Sequence, residues 1–189
     1  MTTEIIVKQN QELLLPIIWT GKERELSYDI TLAGAGAKVV FLALLLGKDE
    51  DSLDIKTNVR HSARDTKSEV IVKSALTGSA SVNFEGLVNI DPGAKGTQAW
   101  LAAHILLLSK TARGRAIPSL EILENDIKAG HATTVGRIND IEMFYIMSRG
   151  IPEIQAKQLI VHGYLQSLVD RFPSKEKAEA TKELKEFGN

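Results

Sequence analysis

The chain has 189 residues, of which 43% are hydrophobic and 25% are charged, and its formal net charge at pH 7 is −1. These values are typical of a globular domain and exclude a disordered or fibrous chain. A balanced charge provides no field that would attract nucleic acid or an anionic membrane, so neither is an expected partner. Because the sequence contains no cysteine, disulfides, zinc–thiolate sites and iron–sulfur ligation by its own thiolates are excluded as well.

The beginning of the chain, MTTEIIVK, lacks the basic and apolar regions of a signal peptide. The longest clean apolar run, Val39 to Leu46, is too short to cross a bilayer. The sequence therefore predicts a cytoplasmic protein. An exported, cysteine-free protein that has lost its signal is the alternative.

Short apolar runs with an alternating pattern fill the first part of the chain. Runs with one buried face are predicted for Leu26 to Leu32, Leu53 to Val59 and Val82 to Ile90. By contrast, Val39 to Leu46 and Ile105 to Leu108 are apolar on both faces, which predicts strands with protein above and below. Glycines separate these runs, and the segment Asp91-Pro92-Gly93 predicts a type II turn.

Short strands that recur roughly every dozen to seventeen residues fit either a β-sandwich or a parallel β-helix. The sequence contains no Asn-Gly, Asp-Gly or Gly-Gly pair, the usual signals of tight hairpins, and this slightly favours the β-helix. The two ends of a β-helix expose unpaired backbone groups, so something must cover them. We expect the helical tail to cap one end.

The apolar spacing changes to three or four residues after position 138, so residues 1–138 are predicted as a β core and residues 139–189 as a helical region of the same domain. Asn139 or Asp140 is a suitable N-cap for a first helix, and Gly150 is suited to end it. We expect the aromatic side chains of Phe144 and Tyr145 to pack on the β core.

A second predicted helix begins with Pro152 in its first turn and carries a wide apolar stripe. The stripe consists of Ile154, Val161, Leu165, Leu168 and Phe172, widened by Ile160, Tyr164 and Val169. Gly163 within this helix predicts the close approach of another backbone or a bulky side chain. A third, mostly charged helix follows Pro173, with Ala178, Leu184 and Phe187 as its apolar contacts; it either lies on the second helix or becomes ordered against a partner.

The run from Val82 to Leu165 resembles the C-terminal part of the SufB/SufD family, the paired subunits of the SUF iron–sulfur cluster assembly complex. The matching segments are SVNFEGLVNIDPGA, HILLLSKTARGRAIPSLEI, DIKAGHATTVGRI and MFYIMSRGI. The histidine motif has the SufD form, except that Ala132 follows His131 where glycine is usual. Residues before about Leu76 share no specific motif with the family and resemble it only in their general character. Family members carry a longer N-terminal region.

The resemblance implies a mainly β fold, a right-handed parallel β-helix followed by a C-terminal helical segment. It also implies a SufD-like, non-enzymatic subunit that pairs with a SufB-like subunit or with itself and docks a SufC-like ATPase. The segment containing Ala112 aligns with a cluster-associated cysteine of SufB, so no cofactor is expected to bind stably. Iron or an iron–sulfur cluster would meet the chain only transiently, in complex with a partner.

The candidate site residues follow from the same resemblance. The residues assigned to the partner or cluster interface are His131, which would also be the metal ligand, Thr133 and Glu121. The residues assigned to ATPase docking are Phe144, Tyr145, Arg149, Gly150, Ile151, Ile154, Val161 and Leu165.

Several of these features have simpler interpretations. His131 could be hydrogen-bonded to backbone at a strand end, and the acidic group Glu121, Glu124 and Asp126 is more typical of a solvated strand face than of a cation site. His61 and His162 are predicted to be solvated. Two alternative functions stay open: a self-pairing relative without an assembly role, and an enzyme that uses His131 with these carboxylates. No phosphate-binding loop motif occurs, so ATP hydrolysis would require a partner.

Overall fold

The structure, a computed structural model, describes residues 2–187; the predicted domain bounds at residues 1 and 189 lie outside the described residues. In the described part, ten strands precede three helices. The strands are β1 (Thr2–Val7), β2 (Glu12–Trp19), β3 (Glu25–Leu32), β4 (Lys38–Gly47), β5 (Ser52–His61), β6 (Lys67–Leu76), β7 (Ser81–Ile90), β8 (Thr97–Leu107), β9 (Arg113–Ile122) and β10 (Ile127–Arg137). The helices are α1 (Asp140–Met147), α2 (Glu153–Val169) and α3 (Ser174–Phe187).

The strands form two five-stranded parallel sheets. One contains the odd-numbered strands in the order β1-β3-β5-β7-β9, and the other contains the even-numbered strands in the order β10-β8-β6-β4-β2. Because successive strands alternate between the sheets, each pair of strands makes one turn of a parallel β-solenoid with about five turns. The predicted β-helix is therefore confirmed. The β-sandwich alternative is wrong, since its sheets would be antiparallel.

The alternating patterns place one side of each strand in the core between the sheets. In β5, Leu53, Ile55 and Val59 are buried together with Thr57, as their spacing predicts. Parallel pairing without a register shift stacks such residues in rows across neighbouring turns, as in the row formed by Phe41, Val70 and Leu101. The core is thus built from repeated aliphatic rows, which suits a chain with few aromatic residues.

The corner between β7 and β8 contains the predicted type II turn. The backbone N–H of Ala94 donates to the carbonyl oxygen of Asp91 over 3.2 Å, and Gly93 has φ +85°. A type II turn requires a positive φ at its third residue, and glycine adopts that conformation without a steric cost.

A second core lies on the outer face of the even-strand sheet. Leu42, Leu44 and Leu46 project outward from β4 and are fully or almost fully buried. The residues of α2, of α3 and of the loop between them that are buried in the same cluster are Val161, Leu165, Leu168, Val169, Phe172, Ala180, Leu184 and Phe187. This confirms that β4 has protein on both faces. The prediction that the helical tail caps a solenoid end is wrong, because the outward leucines of β4 can leave water only if the helices lie along the side of the solenoid.

Polar contacts fasten the helices to the same sheet. The ammonium group of Lys73 donates to the carbonyl oxygen of Tyr164 over 2.6 Å and to Ser167 Oγ over 2.7 Å. Burial lowers the pKa of Lys73, whose charge is satisfied here by neutral oxygens. Arg171 makes a two-pronged ion pair with Glu69, with Nη1 to Oε1 at 3.0 Å. Such bidentate pairs fix geometry as well as charge.

Several helical details differ from the sequence predictions. Pro152 is the N-cap of α2 and precedes its first turn, whereas the sequence places it within that turn. By contrast, the predicted N-cap of α1 is confirmed at Asn139, whose side chain accepts from the N–H of Ile141 over 2.8 Å. A side chain at Gly163 would meet no atom within 4 Å, so the predicted close approach is wrong. In α3, Ala180 is buried and Ala178 is exposed, which shifts the apolar contact by half a turn.

His61 is fully buried, so the prediction that it is solvated is wrong. One ring nitrogen lies 2.8 Å from Thr66 Oγ1 and the other 2.8 Å from Ser68 Oγ. Thr66 Oγ1 in turn lies 3.0 Å from Thr97 Oγ1. His61 therefore belongs to a buried polar network at a corner shared by successive turns, in which a neutral imidazole can donate from one nitrogen and accept at the other.

Candidate functional site

The last turn of the solenoid, formed by β9 and β10, leaves two strand edges unpaired. Strand β9 pairs with β7 and β10 pairs with β8, and each is the final strand of its sheet. Because no further turn covers this end, three apolar side chains are strongly exposed: Ile122 at 42%, Leu123 at 69% and Val135 at 43%. Free strand edges beside apolar side chains are a template for pairing with another chain. We call this region the open end.

His131 and Thr133 both lie at the open end. In β10, His131 pairs in register with Leu101, which is fully buried in the core, so His131 continues an inward-facing row. Since β10 belongs to the final turn, His131 and Thr133 are exposed. Within residues 2–187 the imidazole has no hydrogen-bond or ion-pair partner. The simpler interpretation, a ring satisfied by nearby backbone, is therefore not observed, and His131 is free to meet a ligand or partner.

Glu121 and His131 lie on different sheets and on opposite sides of them. It pairs in register with Asn89 on the outer face of the odd-strand sheet, whereas His131 lies on the inner side of the even-strand sheet. The neighbouring Glu124 stabilises the local backbone, because its carboxylate accepts from the N–H of Asn125 over 2.9 Å and from that of Gly93 over 3.0 Å. Hydrogen bonds from backbone N–H groups, led by that of Asn125, hold the pKa of Glu124 below its ordinary value.

The open end does not have the donor set of a stable iron–sulfur site. His131 contributes one imidazole, the chain has no thiolate, and no group of three metal-binding side chains occurs among residues 2–187. Ala112, which the resemblance matches to the SufB cysteine, is 5% exposed and packs in the core just before β9. A cluster would thus need most of its ligands from another chain. The same geometry gives no support to an enzyme that combines His131 with Glu121.

Helix α1 contains no buried residue. The prediction that Phe144 and Tyr145 pack on the β core is wrong, because their side chains are 73% and 59% exposed. Helix α1 lies beyond the sheet and packs on α2. Large apolar side chains exposed on the two helices form what we call the helix surface: Ile141, Phe144, Tyr145, Met147, Ile154 and Leu159.

A groove of about 800 Å³ is lined by residues of both α1 and α2. Its walls include Ile141 and Tyr145 from α1 and Leu159 and Ile160 from α2. Gly163 also lines the groove, and a Cβ atom added at this glycine would meet nothing within 4 Å. The absence of a side chain at this position therefore leaves space in the groove, which is open to an apolar group from outside.

Arg149 and Gly150 shape the end of α1. The Arg149 guanidinium lies 4.9 Å from the centre of the Tyr145 ring and donates to the Tyr145 hydroxyl over 2.8 Å. No carboxylate partners Arg149 in the described part of the chain. Gly150 has φ +83°, the left-handed conformation that ends the helix, and Ile151, which follows it, is half-buried. Tyr145 is therefore held in place at the surface by a cation that stays available to a partner.

The predicted docking residues separate into two groups. Phe144, Tyr145 and Ile154 are exposed and belong to the helix surface. Val161, at 5% exposed, and Leu165, at 0%, are buried against the even-strand sheet, so they belong to the second core and not to the helix surface. Sequence reasoning missed Leu159 and Met147. For Leu159, the available signal was an apolar residue that lies outside the stripe of Val161 and Leu165.

Comparison with known proteins places this chain in a family. The model described as "SUF system FeS cluster assembly, SufBD core domain" matches residues 3–164. The iron–sulfur cluster assembly protein SufD of Bacillus subtilis is 35% identical over 130 residues, which cover 69% of this chain and 30% of the relative. An iron–sulfur cluster assembly SufBD family protein of Mycobacterium tuberculosis is 36% identical over 152 residues, which cover 76% of this chain and 38% of the relative.

These relatives are much longer than the matched region, since the chain spans about a third of the length of each. None of the described helices is long and apolar enough to cross a membrane. The family match covers both candidate surfaces, from the first strand through the open end and α1 to Tyr164 in α2. The chain belongs to the SufBD family of the SUF iron–sulfur cluster assembly system.

Proposed function

We propose that the chain is a SufD-like, non-enzymatic subunit of an iron–sulfur cluster assembly complex in the cytoplasm. It pairs with a SufB-like subunit through the open end and docks a SufC-type ATPase through the helix surface. Family membership and the similarity to a protein named SufD support the assembly role. The observation that carries the docking role is the helix surface, where Phe144 and Ile154 are each 73% exposed.

The helix surface has the properties of a docking site. Exposed apolar patches of this kind on a folded domain mark interaction sites, because the contact of apolar surface with water is unfavourable and is removed when a partner covers the patch. The groove beside Gly163 can receive an apolar side chain. Tyr145 in its wall is contacted by Arg149, whose charge no carboxylate of the described residues neutralises. An ATPase partner also supplies the nucleotide chemistry for which this sequence has no motif.

In this proposal, His131 contacts the cluster as cargo at the interface between two subunits. Its imidazole is a competent iron ligand when neutral. Thr133 lies two residues further along the same strand on the same side, where its hydroxyl can hydrogen-bond to a partner. The remaining ligands come from the other subunit.

Introducing charge on the helix surface should abolish most ATPase binding. We expect the double variant Phe144→Asp/Ile154→Asp to retain a SufC-type ATPase at least about tenfold more weakly than the unchanged chain, because both carboxylates would be buried without partners at the interface. Co-purification of the two full-length chains measures this. Ile6→Asp is the control: it adds charge at a side chain that is 66% exposed on β1, at the other end of the solenoid. Equal retention by the double variant and the unchanged chain would contradict the docking proposal.

The free edges of β9 and β10 also favour a second candidate, a homodimer without an assembly role. Multi-angle light scattering at micromolar concentration should then give a dimer, and Leu123→Lys/Val135→Lys should weaken self-association at least about tenfold, since edge lysines oppose strand pairing. A monomer that forms a 1:1 complex on addition of a SufB-type subunit would support the SufD-like role. A monomer that stays unchanged with that subunit would contradict both forms of pairing.

A further inference from the structure

A separate groove of about 550 Å³ crosses the outer face of the even-strand sheet, at the beginnings of its strands. Two rows of side chains line it. The first contains Lys38, Lys67, Gln98 and Lys128 in register, and the second contains Val40, Glu69, Trp100 and Gly130. We call it the Trp100 groove. It is separate from the helix surface, and one of its sides is formed by Lys128 and Gly130 on the outer face of β10.

The Trp100 groove carries uncompensated positive charge. Lys38 forms an ion pair with Glu12, and Glu69 is held by Arg171. Lys67 and Lys128 are exposed and have no acidic partner among residues 2–187. The excess is local, because the whole chain has a net charge of −1. Two free ammonium groups therefore face solvent on either side of the Gln98 strand.

Trp100 gives the groove an apolar surface with a polar edge. Its side chain is 45% exposed and lies over Gly130, since a Cβ atom on Gly130 would come within 2.6 Å of Trp100 Cζ3. Its indole N–H has no acceptor in the described part of the chain. The other tryptophan, Trp19, is fully buried and donates to the carbonyl oxygen of Glu23 over 2.8 Å. Trp100 is thus the indole that a ligand could reach.

We propose that the Trp100 groove binds an extended acidic peptide segment of a partner protein, in which two carboxylates flank an apolar side chain. Lys67 and Lys128 lie two strands apart, roughly 10 Å. A peptide in the extended polyproline II conformation covers that distance in three residues and, with about three residues per turn, presents positions one and four on the same side. Acidic residues at positions one and four would reach the two lysines. An apolar residue between them would cover Trp100, an arrangement in which apolar contact is combined with charge complementarity.

A nucleic acid fits this groove less well. A phosphate chain carries a charge on every nucleotide, whereas the groove offers two free cations and one exposed aromatic ring. The carboxylate of Glu69 also lies in its wall and would repel continuous negative charge. A peptide can place its neutral residues beside Glu69.

The probe for this proposal is an acetylated and amidated tetrapeptide of sequence Glu-Leu-Ala-Glu, titrated to millimolar concentration into the ¹⁵N-labelled full chain. We expect the Trp100 indole N–H resonance to shift with saturation while that of Trp19 stays in place. The matched probe Gln-Leu-Ala-Gln has the same shape without charge. Equal shifts with both peptides, or no shift with the acidic one, would overturn the proposal.

Charge reversal on the protein completes the test. Lys67→Glu/Lys128→Glu should weaken binding of the acidic peptide at least about tenfold, because two attractive pairs become repulsive. Lys110→Glu/Lys175→Glu changes the net charge equally at exposed lysines outside the groove and should leave the affinity unchanged. Equal weakening by both double variants would overturn the proposal, as would tighter binding of single-stranded oligothymidylate than of the peptide.

Discussion

Replacing Leu165 by alanine is expected to loosen the helices from the solenoid. Leu165 is fully buried in the cluster that joins α2 and α3 to the outward leucines of β4. Removing such a side chain leaves a cavity and lowers the free energy of unfolding by about 2–5 kcal/mol. Since the inner core is untouched, we expect amide hydrogen exchange to accelerate in α2 and α3 while β5 and β7 stay protected.

Leu159→Ala is the matched control, because it makes the same substitution in the same helix at a side chain that is 55% exposed. Its effect on the free energy of unfolding should stay within about 0.5 kcal/mol. In the co-purification assay, Leu159→Ala should weaken ATPase retention although the stability of the chain is unchanged, because the substitution removes part of the helix surface itself. Equal destabilisation by both substitutions would contradict the assignment of Leu165 to the second core.

The solenoid strands could be predicted from the sequence because each turn repeats one simple pattern. Alternation in Leu53 to Val59 predicts a strand with one buried face. The continuous apolar run from Val39 to Leu46 predicts that both faces of β4 are covered by protein. Alternation says nothing of the direction in which strands pair, so it could not by itself exclude the sandwich. What covers the outer face of β4 depends on contacts between residues more than a hundred positions apart.

The candidate site was predictable only in part, for a related reason. Helical spacing indicates which residues should leave water, but it does not distinguish burial within the chain from burial against a partner. Leu165 and Phe144 are both apolar and regularly spaced, yet one is 0% and the other 73% exposed. For His61 a usable signal existed. It continues the alternation of Ile55 and Val59 along β5, so its side chain lies on the same buried face of that strand.

Lowering the pH should destabilise the folded chain through His61. Burial lowers the pKa of His61 from 6.5 to about 4. The folded state therefore keeps the ring neutral, while the unfolded chain takes up a proton once the pH falls below 6.5. Because the unfolded state binds more protons in this window, the stability contributed by His61 is complete above pH 6.5 and is lost as the pH falls towards 4, by about 3 kcal/mol in total.

Denaturant unfolding between pH 7.5 and pH 5 measures this loss. His61→Gln should be less stable at pH 7.5, where the polar network loses its imidazole, and should show a much shallower decline with pH. His162→Gln, at an exposed position, should keep the full slope. His104 adds a contribution of the same sign, since burial and the charge of Lys73 lower its pKa, and it is unaffected by either variant. The carboxylates with lowered pKa values, such as Glu124, lose their contribution mainly below this range. If the free energy of unfolding declined in parallel for the unchanged chain and for His61→Gln, the buried ring would not be the cause of the loss of stability at low pH.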